Sequence, residues 1–426
     1  MAGQNTVAVI GAGIVGSAVA YALSREGRRV LLFDRGEPGV CGASYGNAGH
    51  IAAESVEPLP TVELLLGFWR RLFAFGGPLD IPLARAPALA PWAMRFAIAA
   101  LRHRTNTNHL APLVRASPSV LGAWLKEIGR PQLFRTAGHY EVWRGAGAAR
   151  RAERQAALMR RLDIETVRMS PEQLDSTTLR AEAAGLWYSS TGYVVDPLQV
   201  VRAFSEAARA RGCEVRRAEV RAVEQCGTGL HVVTEVETQH VEAVVVCAGP
   251  WSAPLLTPFG VRVPLEAVRG YHVELPEHAP LFDSSVLYAD HYLVVTPMSG
   301  RLRATSYMEF EPPHAAPDPR KPAYLRRLLQ GLGYRCEADG PSWMGSRPVL
   351  PDYLPGIGRV AMPAPLFYAV GHHHIGLTTA AITGELVADL VAEREPRLDV
   401  RGFDLRRFGA RARAAAIPAR PCEAAR

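Results

Sequence analysis

Three glycines and one acid near the start of the chain have the types and spacing to hold a nucleotide. Gly11, Gly13 and Gly16 follow the G-x-G-x-x-G pattern inside VAVIGAGIVGSAVAYALSREGRRVLLFD, residues 7–34, and Asp34 closes that stretch. Gly11 permits a sharp turn, Gly13 lets backbone approach a pyrophosphate, and Gly16 lets a helix pack close to a strand. Ile14 and Val15 open the helix, whose positive end then faces the phosphates. A carboxylate at Asp34, followed by Arg35, accepts hydrogen bonds from a ribose diol and would repel a 2′-phosphate. The motif alone leaves FAD and NAD open. A second glycine-flanked junction, Gly371-His372-His373-His374-Ile375-Gly376, stands before a helical stretch. Free amide N–H groups at such a helix start can stabilise developing negative charge. The three histidines suggest no metal site, because neighbours in a turn point different ways and no acid or cysteine stands at a zinc spacing.

These groups need elements to position them. Val7–Ile10 reads as a strand, the next stretch as a helix stopped by Gly27, and Arg29–Phe33 as a second strand. Val15, Val19 and Leu23 recur at helical spacing and give the helix a face for a sheet. Residues 36–50, GEPGVCGASYGNAGH, form a loop small enough to lie against a flat ligand. Residues 61–101 read as mostly helical with proline breaks. Within them LLLGFWRRLFAF, residues 64–75, reads as helix packed on the domain, with a patch resting on a membrane surface as the alternative. His139–Trp143 reads as a strand and Arg150–Arg161 as a polar helix. Asp196 caps a helix that has Pro197 at its first position and runs to Gly212. Strands follow at Glu214–Val223, Leu230–Thr234 and Glu242–Cys247, the last ending in Ala248-Gly249-Pro250-Trp251, a place for further cofactor contact. Residues 262–310 alternate apolar and polar over short segments, the texture of an antiparallel sheet and a candidate substrate domain. Pro312–Pro322 reads as a linker and residues 343–358 as irregular. Leu366–Val370 reads as a strand, and a helix runs from Leu377 to about Ala392.

Bulk composition narrows the class. The 426 residues suggest two domains or one interleaved pair. A hydrophobic content of 48% against 21% charged residues describes a globular protein with ample core. The net charge of +7 is carried almost wholly by arginine and is spread out, apart from an arginine-rich tail after Arg401 that reads as solvated rather than nucleic-acid-binding. The six cysteines form no C-x-x-C or zinc spacing, and a chain this long needs no disulfide framework, so a reducing cytoplasm is expected. The dinucleotide strand begins at Val7, which leaves no room for a secretion signal. No run of about 18 uncharged apolar residues reads as a spanning helix.

Several separated segments agree with one family. GAGIVG with Asp34, ASYGNAG at 43–49, TGYVVDP at 191–197, CAGPWS at 247–252, GSRPVLPDYLPGIG at 345–358 and GHHHIGLT at 371–378 stand in order over nearly the whole chain. In these segments the chain resembles the FAD-dependent D-amino-acid oxidase superfamily, and bacterial D-amino-acid dehydrogenases within it, including those acting on D-proline and hydroxy-D-proline. The resemblance implies an α/β fold in which a Rossmann-like FAD-binding domain is interleaved with an antiparallel-sheet substrate domain. It places the FAD-binding domain at residues 1–60, 190–255 and 340–400, the substrate domain at 61–189 and 256–339, and a basic tail at 401–426.

The same resemblance assigns residues. Gly11 to Gly16 would hold the pyrophosphate and Asp34 the ribose, with Ser44, Asn47, Ala48 and Gly49 along the flavin. Val220 would touch the adenine region and Gly249 would line the pyrophosphate channel, while Gly371, His373, Gly376, Leu377 and Thr378 run under the pyrimidine edge. Arg347 stands where relatives clamp a carboxylate, a role that suits a planar guanidinium; the plainer reading is an ion pair with Asp352. His50 would face the pocket, the His374 carbonyl would accept a bond from the substrate amine, and one of Tyr271, Tyr288 and Tyr292 would close the site, Tyr292 being the catalytic candidate among them. FAD is expected to be non-covalent, since Trp343-Met344 occupies the region where some relatives carry a flavin-linking cysteine and Cys336 lies earlier. Neither Lys126 nor Lys321 lies in a flavin motif, which leans towards dehydrogenase over oxidase. The implied reaction is oxidative deamination of a D-amino acid by hydride transfer to flavin N5, with electrons passing on to a quinone, a carrier protein or oxygen. A glycine- or sarcosine-type amine oxidase, a flavin subunit of an electron-transfer complex and an RNA-modifying flavoenzyme are the rivals. A cytoplasmic protein is expected, with peripheral contact on the inner face of the membrane as a variant.

Overall fold

The structure, a computed structural model, describes residues 6–409 apart from 176–182, 277–282, 338–339 and 361–364. Two sheets organise it. The first has six strands in the order Gly356–Arg359, Leu366–Val370, Ala243–Val246, Thr6–Ile10, Arg29–Asp34 and Glu214–Arg217. All pair in parallel except the edge strand Gly356–Arg359. Its central strands read VAVI, VLLF and AVVV because helices or a second layer cover both faces, so nothing on them needs to be polar.

The Ile14–Arg25 helix lies on one face and is buried along almost its whole length. The Gly376–Val391 helix packs beside it so closely that a Cβ on Gly384 would sit 2.9 Å from the Ala18 carbonyl oxygen. The Pro197–Arg209 helix joins them, capped by the Asp196 carboxylate, which accepts from the N–H groups of Leu198 and Gln199. A three-stranded antiparallel sheet, Val220–Cys226, Gly229–Thr234 and Thr238–Val241, flanks this unit. The sequence reading ran Glu214–Val223 together, but the chain leaves the parallel sheet at Arg217 and enters the small sheet at Val220.

The second sheet carries the Glu266–Pro276, Ser285–Tyr288, Leu293–Met298 and Arg301–Glu309 strands expected from the 262–310 texture, together with His139–Trp143. One correction bears on the site. Residues 342–349 are not irregular: Ser342–Val349 is a strand of this sheet, antiparallel to Glu266–Pro276 with Arg347 opposite Val268. Pro348 and the glycine before Ser346 disguise it in sequence.

The His103–Glu127 helix has no counterpart in the sequence reading, because Pro112 and Pro118 in its interior leave no clean helical signal. It buries Leu110, Leu113, Leu121 and Trp124 in the core of the parallel-sheet unit. A second correction concerns Pro312–Pro322, where a helix begins at Arg320 and the Ala315 carbonyl accepts from Arg269. Cys41, Cys213, Cys247 and Cys336 are free thiols. Residues 401–409 are not a solvated tail: Arg407 holds Asp352. Residues 410–426 lie outside the described residues.

Candidate active site

A cavity of about 900 Å³ runs from the carboxyl end of the parallel sheet to the second sheet. That volume lies within the usual range for a ligand pocket, and the location is where open α/β sheets bind ligands. Gly11 turns the chain with φ +102, and a Cβ there would press on the Cys247 carbonyl oxygen at 2.5 Å, so no other residue fits without distortion. Gly13 is open except for the Ser44 hydroxyl, which accepts from Ile14 N–H at 2.9 Å. The Ile14 helix has no acid in its first turn and no side-chain bond from its cap residue. The Gly376 helix likewise has no side-chain cap and no acid in its first turn. Two positive helix ends therefore meet one cavity, the arrangement an anionic cofactor requires. Asp34 accepts from Ala12 N–H at 2.7 Å and from Gly36 N–H at 3.1 Å, which fixes its carboxylate at the cavity wall with lone pairs left for a diol.

At the far end stands Arg347. Its guanidinium lies flat on the backbone of Gly270, occupying the place a Cβ would take. The neighbouring strand is bulged opposite Gly270, where the register shifts between Arg269 and Tyr271 and Tyr307 takes φ +76. Asp352, the partner that sequence proximity suggests, is held instead by Arg407 at 2.6 and 3.2 Å. Among the described residues no carboxylate or carbonyl bonds Arg347. Burial lowers its pKa, partly offset by the nearby Tyr353. A half-buried guanidinium with no ion pair is left partly desolvated on the cavity wall, and an anion arriving along the cavity would relieve that cost.

A polar cluster lies beside it. His50 contacts Ser285 Oγ through Nδ1 at 2.9 Å and Glu54 through Nε2 at 3.0 Å. The other Glu54 oxygen faces His139 Nε2 at 3.2 Å. Burial alone would raise the Glu54 carboxyl, but His50 and His139 hold it at about 2, while burial drives the His139 imidazole down to about 3. Ser55 Oγ stands 3.2 Å from His374 Nε2, and His374 is lowered to about 4 by burial and then by Arg347. Glu141 accepts from the Tyr188 hydroxyl at 2.6 Å, and burial pushes its carboxyl up to about 8.

His50, Glu54 and His139 bring ligand-type atoms within 4.8 Å of one another; Glu54 Oε1 bonds His50, while Glu54 Oε2 and both His139 nitrogens have no hydrogen-bond partner among the described residues. A second such group, Asp80, Glu309 and Asp318, has the Lys321 ammonium bonded to all three acids.

A profile of the family described as FAD dependent oxidoreductase (DAO) matches residues 6–390. The chain belongs to this family. It is 32% identical over 424 residues to a D-amino-acid oxidase of Bradyrhizobium diazoefficiens, covering 94% of this chain and 98% of that protein. It is 29% identical to a D-amino acid dehydrogenase of Paramagnetospirillum magneticum, covering 94% and 98%. Among solved structures, glycine oxidase from Geobacillus kaustophilus superposes with a TM-score of 0.73 at 23% identity, covering 94% of this chain and 98% of that one. L-proline dehydrogenase from P. horikoshii superposes at 0.72 and 17%, covering 95% and 98%. These two likenesses show the shared fold. This DAO-family chain is an FAD-dependent oxidoreductase, and its crevice of open glycine, uncapped helix ends and fixed Asp34 suits that cofactor.

Most residues singled out in sequence stand on the cavity wall. Gly11, Gly13, Ile14, Val15, Asp34, Arg35, Ser44, Asn47 and Ala48 line it, as do Val220, Gly249, Gly371, His373, Gly376 and Leu377, and the four catalytic candidates Arg347, His50, Tyr292 and His374. Gly16, Gly49 and Thr378 are not among its lining residues. Gly16 packs on the Gly11 carbonyl, Gly49 packs against the Val194 carbonyl, and Thr378 accepts from Ala52 N–H. Of the other tyrosines, Tyr271 gives its hydroxyl to Glu309 and Tyr288 pairs with Tyr334. Sequence reasoning missed Glu54, Glu141, Arg71 and Trp343, all on the wall. The only local signal was for Trp343, whose ring fills the space beside Gly46 and Gly345.

Proposed function

We propose that this enzyme deaminates a D-amino acid oxidatively, with non-covalent FAD, giving the imino acid that water converts to the 2-oxo acid. The observation that carries the reading is Arg347, a half-buried guanidinium with no protein anion, on the wall at the end of the crevice. FAD, held by the glycine turn at residues 11–16 and by Asp34, would supply the acceptor for the hydride that leaves the substrate α-carbon. Arg347 takes the α-carboxylate through two parallel bonds and so fixes the α-carbon. His374 lines the same cavity, and its carbonyl is the group proposed to accept from the substrate amine. The neutral imidazoles of His372, His373 and His374 add no second positive charge there, which favours the neutral amine needed for hydride loss. The D configuration follows the names of the relatives.

The test is anaerobic mixing of the yellow protein with D- and L-amino acids, glycine, sarcosine, D-proline and hydroxy-D-proline. Bleaching by D-amino acids, and not by their L forms, is expected; bleaching by glycine and sarcosine alone would sink the proposal in favour of the amine-oxidase rival.

For the electron acceptor we propose a membrane quinone. Leu66, Phe68, Trp69, Phe75, Leu83 and Leu101 are exposed on one stretch of chain that also carries Arg70, Arg95 and Arg102. No helix among the described residues is long and apolar enough to cross a membrane, so the contact would be peripheral. Trp69→Ser with Leu66→Ser should abolish sedimentation with anionic vesicles; equal sedimentation of variant and parent would remove the contact.

A further inference from the structure

A second arginine lines the same cavity without an acidic partner. Arg71 sits half-buried on the 62–75 segment, its guanidinium 5.2 Å from the centre of the Tyr292 ring. Among the described residues it makes no ion pair and no side-chain hydrogen bond. The other arginines on the wall are engaged: Arg35 donates to the Cys41 carbonyl and Arg221 pairs with Glu219. Tyr292 holds its place through a left-handed backbone, φ +50, and its carbonyl accepts from Ser306 Oγ at 3.0 Å.

The strands that seat the two free guanidinium groups lie two places apart in the sheet. Arg347 rests on Gly270, in the Glu266–Pro276 strand. The next strand carries Ser306, and the one after it begins beside Tyr292, over which Arg71 stands. Two strand spacings make roughly 10 Å. A four- or five-carbon diacid with charge-assisted bonds of about 2.8 Å at each end spans such a gap. The acids on this wall do not compete for Arg71. Glu57 faces His103 at 3.3 Å, Glu54 is held by His50, and the raised pKa of Glu141 keeps it protonated at neutral pH.

We infer that the substrate carries an acidic side chain, with its α-carboxylate on Arg347 and its second carboxylate on Arg71. D-glutamate and D-aspartate are the chemical class. This rests on the reading of Arg347 as the α-carboxylate clamp. No new bond chemistry is involved: Arg71 binds an end of the molecule that does not react.

The test compares D-glutamate with D-glutamine, which has nearly the same shape and no side-chain charge. A hydrogen-bonded charge pair of this kind is worth roughly tenfold to a hundredfold in kcat/KM. Arg71→Met should bring the ratio close to one, and Arg71→Lys should keep part of it. Equilibrium binding of glutarate against valerate, neither of which can be oxidised, reads the same preference without turnover. The inference is overturned if the parent protein oxidises D-glutamine as well as D-glutamate, if D-lysine outruns both, or if Arg71→Met leaves the ratio and the glutarate preference unchanged. Those results leave the D-amino-acid reading intact. If no D-amino acid bleaches the flavin, that reading fails, and the glutarate measurement still decides whether Arg71 holds a second carboxylate.

Discussion

Cations pack against the Glu266–Pro276 strand in two ways: Arg269 and Lys321 are buried among acids, and Arg347, from the neighbouring strand, is half-buried without one. Arg269 and Tyr271 reach Glu309, which also holds Lys321, and Lys321 contacts Asp80, Glu309 and Asp318 at 2.6, 2.5 and 3.0 Å. Burial alone would lower the Lys321 pKa, yet the three carboxylates raise it above its ordinary value. On the alternate residue Gly270, Arg347 has no carboxylate, and its pKa falls. Lys321 is therefore part of the scaffold, whereas the anion proposed for Arg347 is one the protein does not supply. A buried charge whose acids are present serves architecture; a charge left without one on a cavity wall is the candidate for binding.

Replacing each cation separates the two roles. Lys321→Met leaves three acids facing one another and should cost about 3–5 kcal/mol of stability in urea unfolding. A loss below about 1 kcal/mol would show that the network is incidental. Arg347→Met should lower kcat/KM by roughly 30- to 3,000-fold, the equivalent of about 2–5 kcal/mol, with FAD retained and the melting temperature equal or higher. Loss of flavin with loss of activity would instead make Arg347 structural.

Gly270→Ala puts a methyl where the guanidinium lies. Displacement of the clamp by about 1 Å should cost about a hundredfold in kcat, with stability little changed; unaltered kinetics would show that the seat is not needed.

The last effect concerns Glu141 and is read against pH. Its folded-state pKa of about 8 lies above the unfolded value, so between pH 4.5 and 8 the folded protein binds the extra proton. Stability from this group is present at low pH and is lost as pH rises, by up to about 1.4 kcal/mol per pH unit. Glu141→Gln should flatten that part of the stability profile; an unchanged slope would remove Glu141 as its source.

The nucleotide half was legible because its signals are local. Gly11, Gly13, Gly16 and Asp34 lie within one strand–helix–strand unit, and each acts through its own backbone or an immediate neighbour. The substrate half was legible as a texture only. Ser342–Val349 was lost because Pro348 and Gly345 mask its alternation, and the His103–Glu127 helix because prolines interrupt it. The cluster of His50, Glu54 and His139 has no sequence signature, since Ser285 and His139 arrive from distant strands.

By itself, the order of residues pointed to a dinucleotide cofactor, to the glycine turn and helix start that line the cavity, and to which arginine to suspect. It did not determine that Arg347 is free. Asp352 stands five residues away and is the natural partner on paper, yet Arg407, 55 residues on, takes it. A turn is decided within a few residues by steric limits on φ and ψ, whereas the role of a charge depends on which opposite charge comes within bonding distance, and only packing of the whole chain decides that.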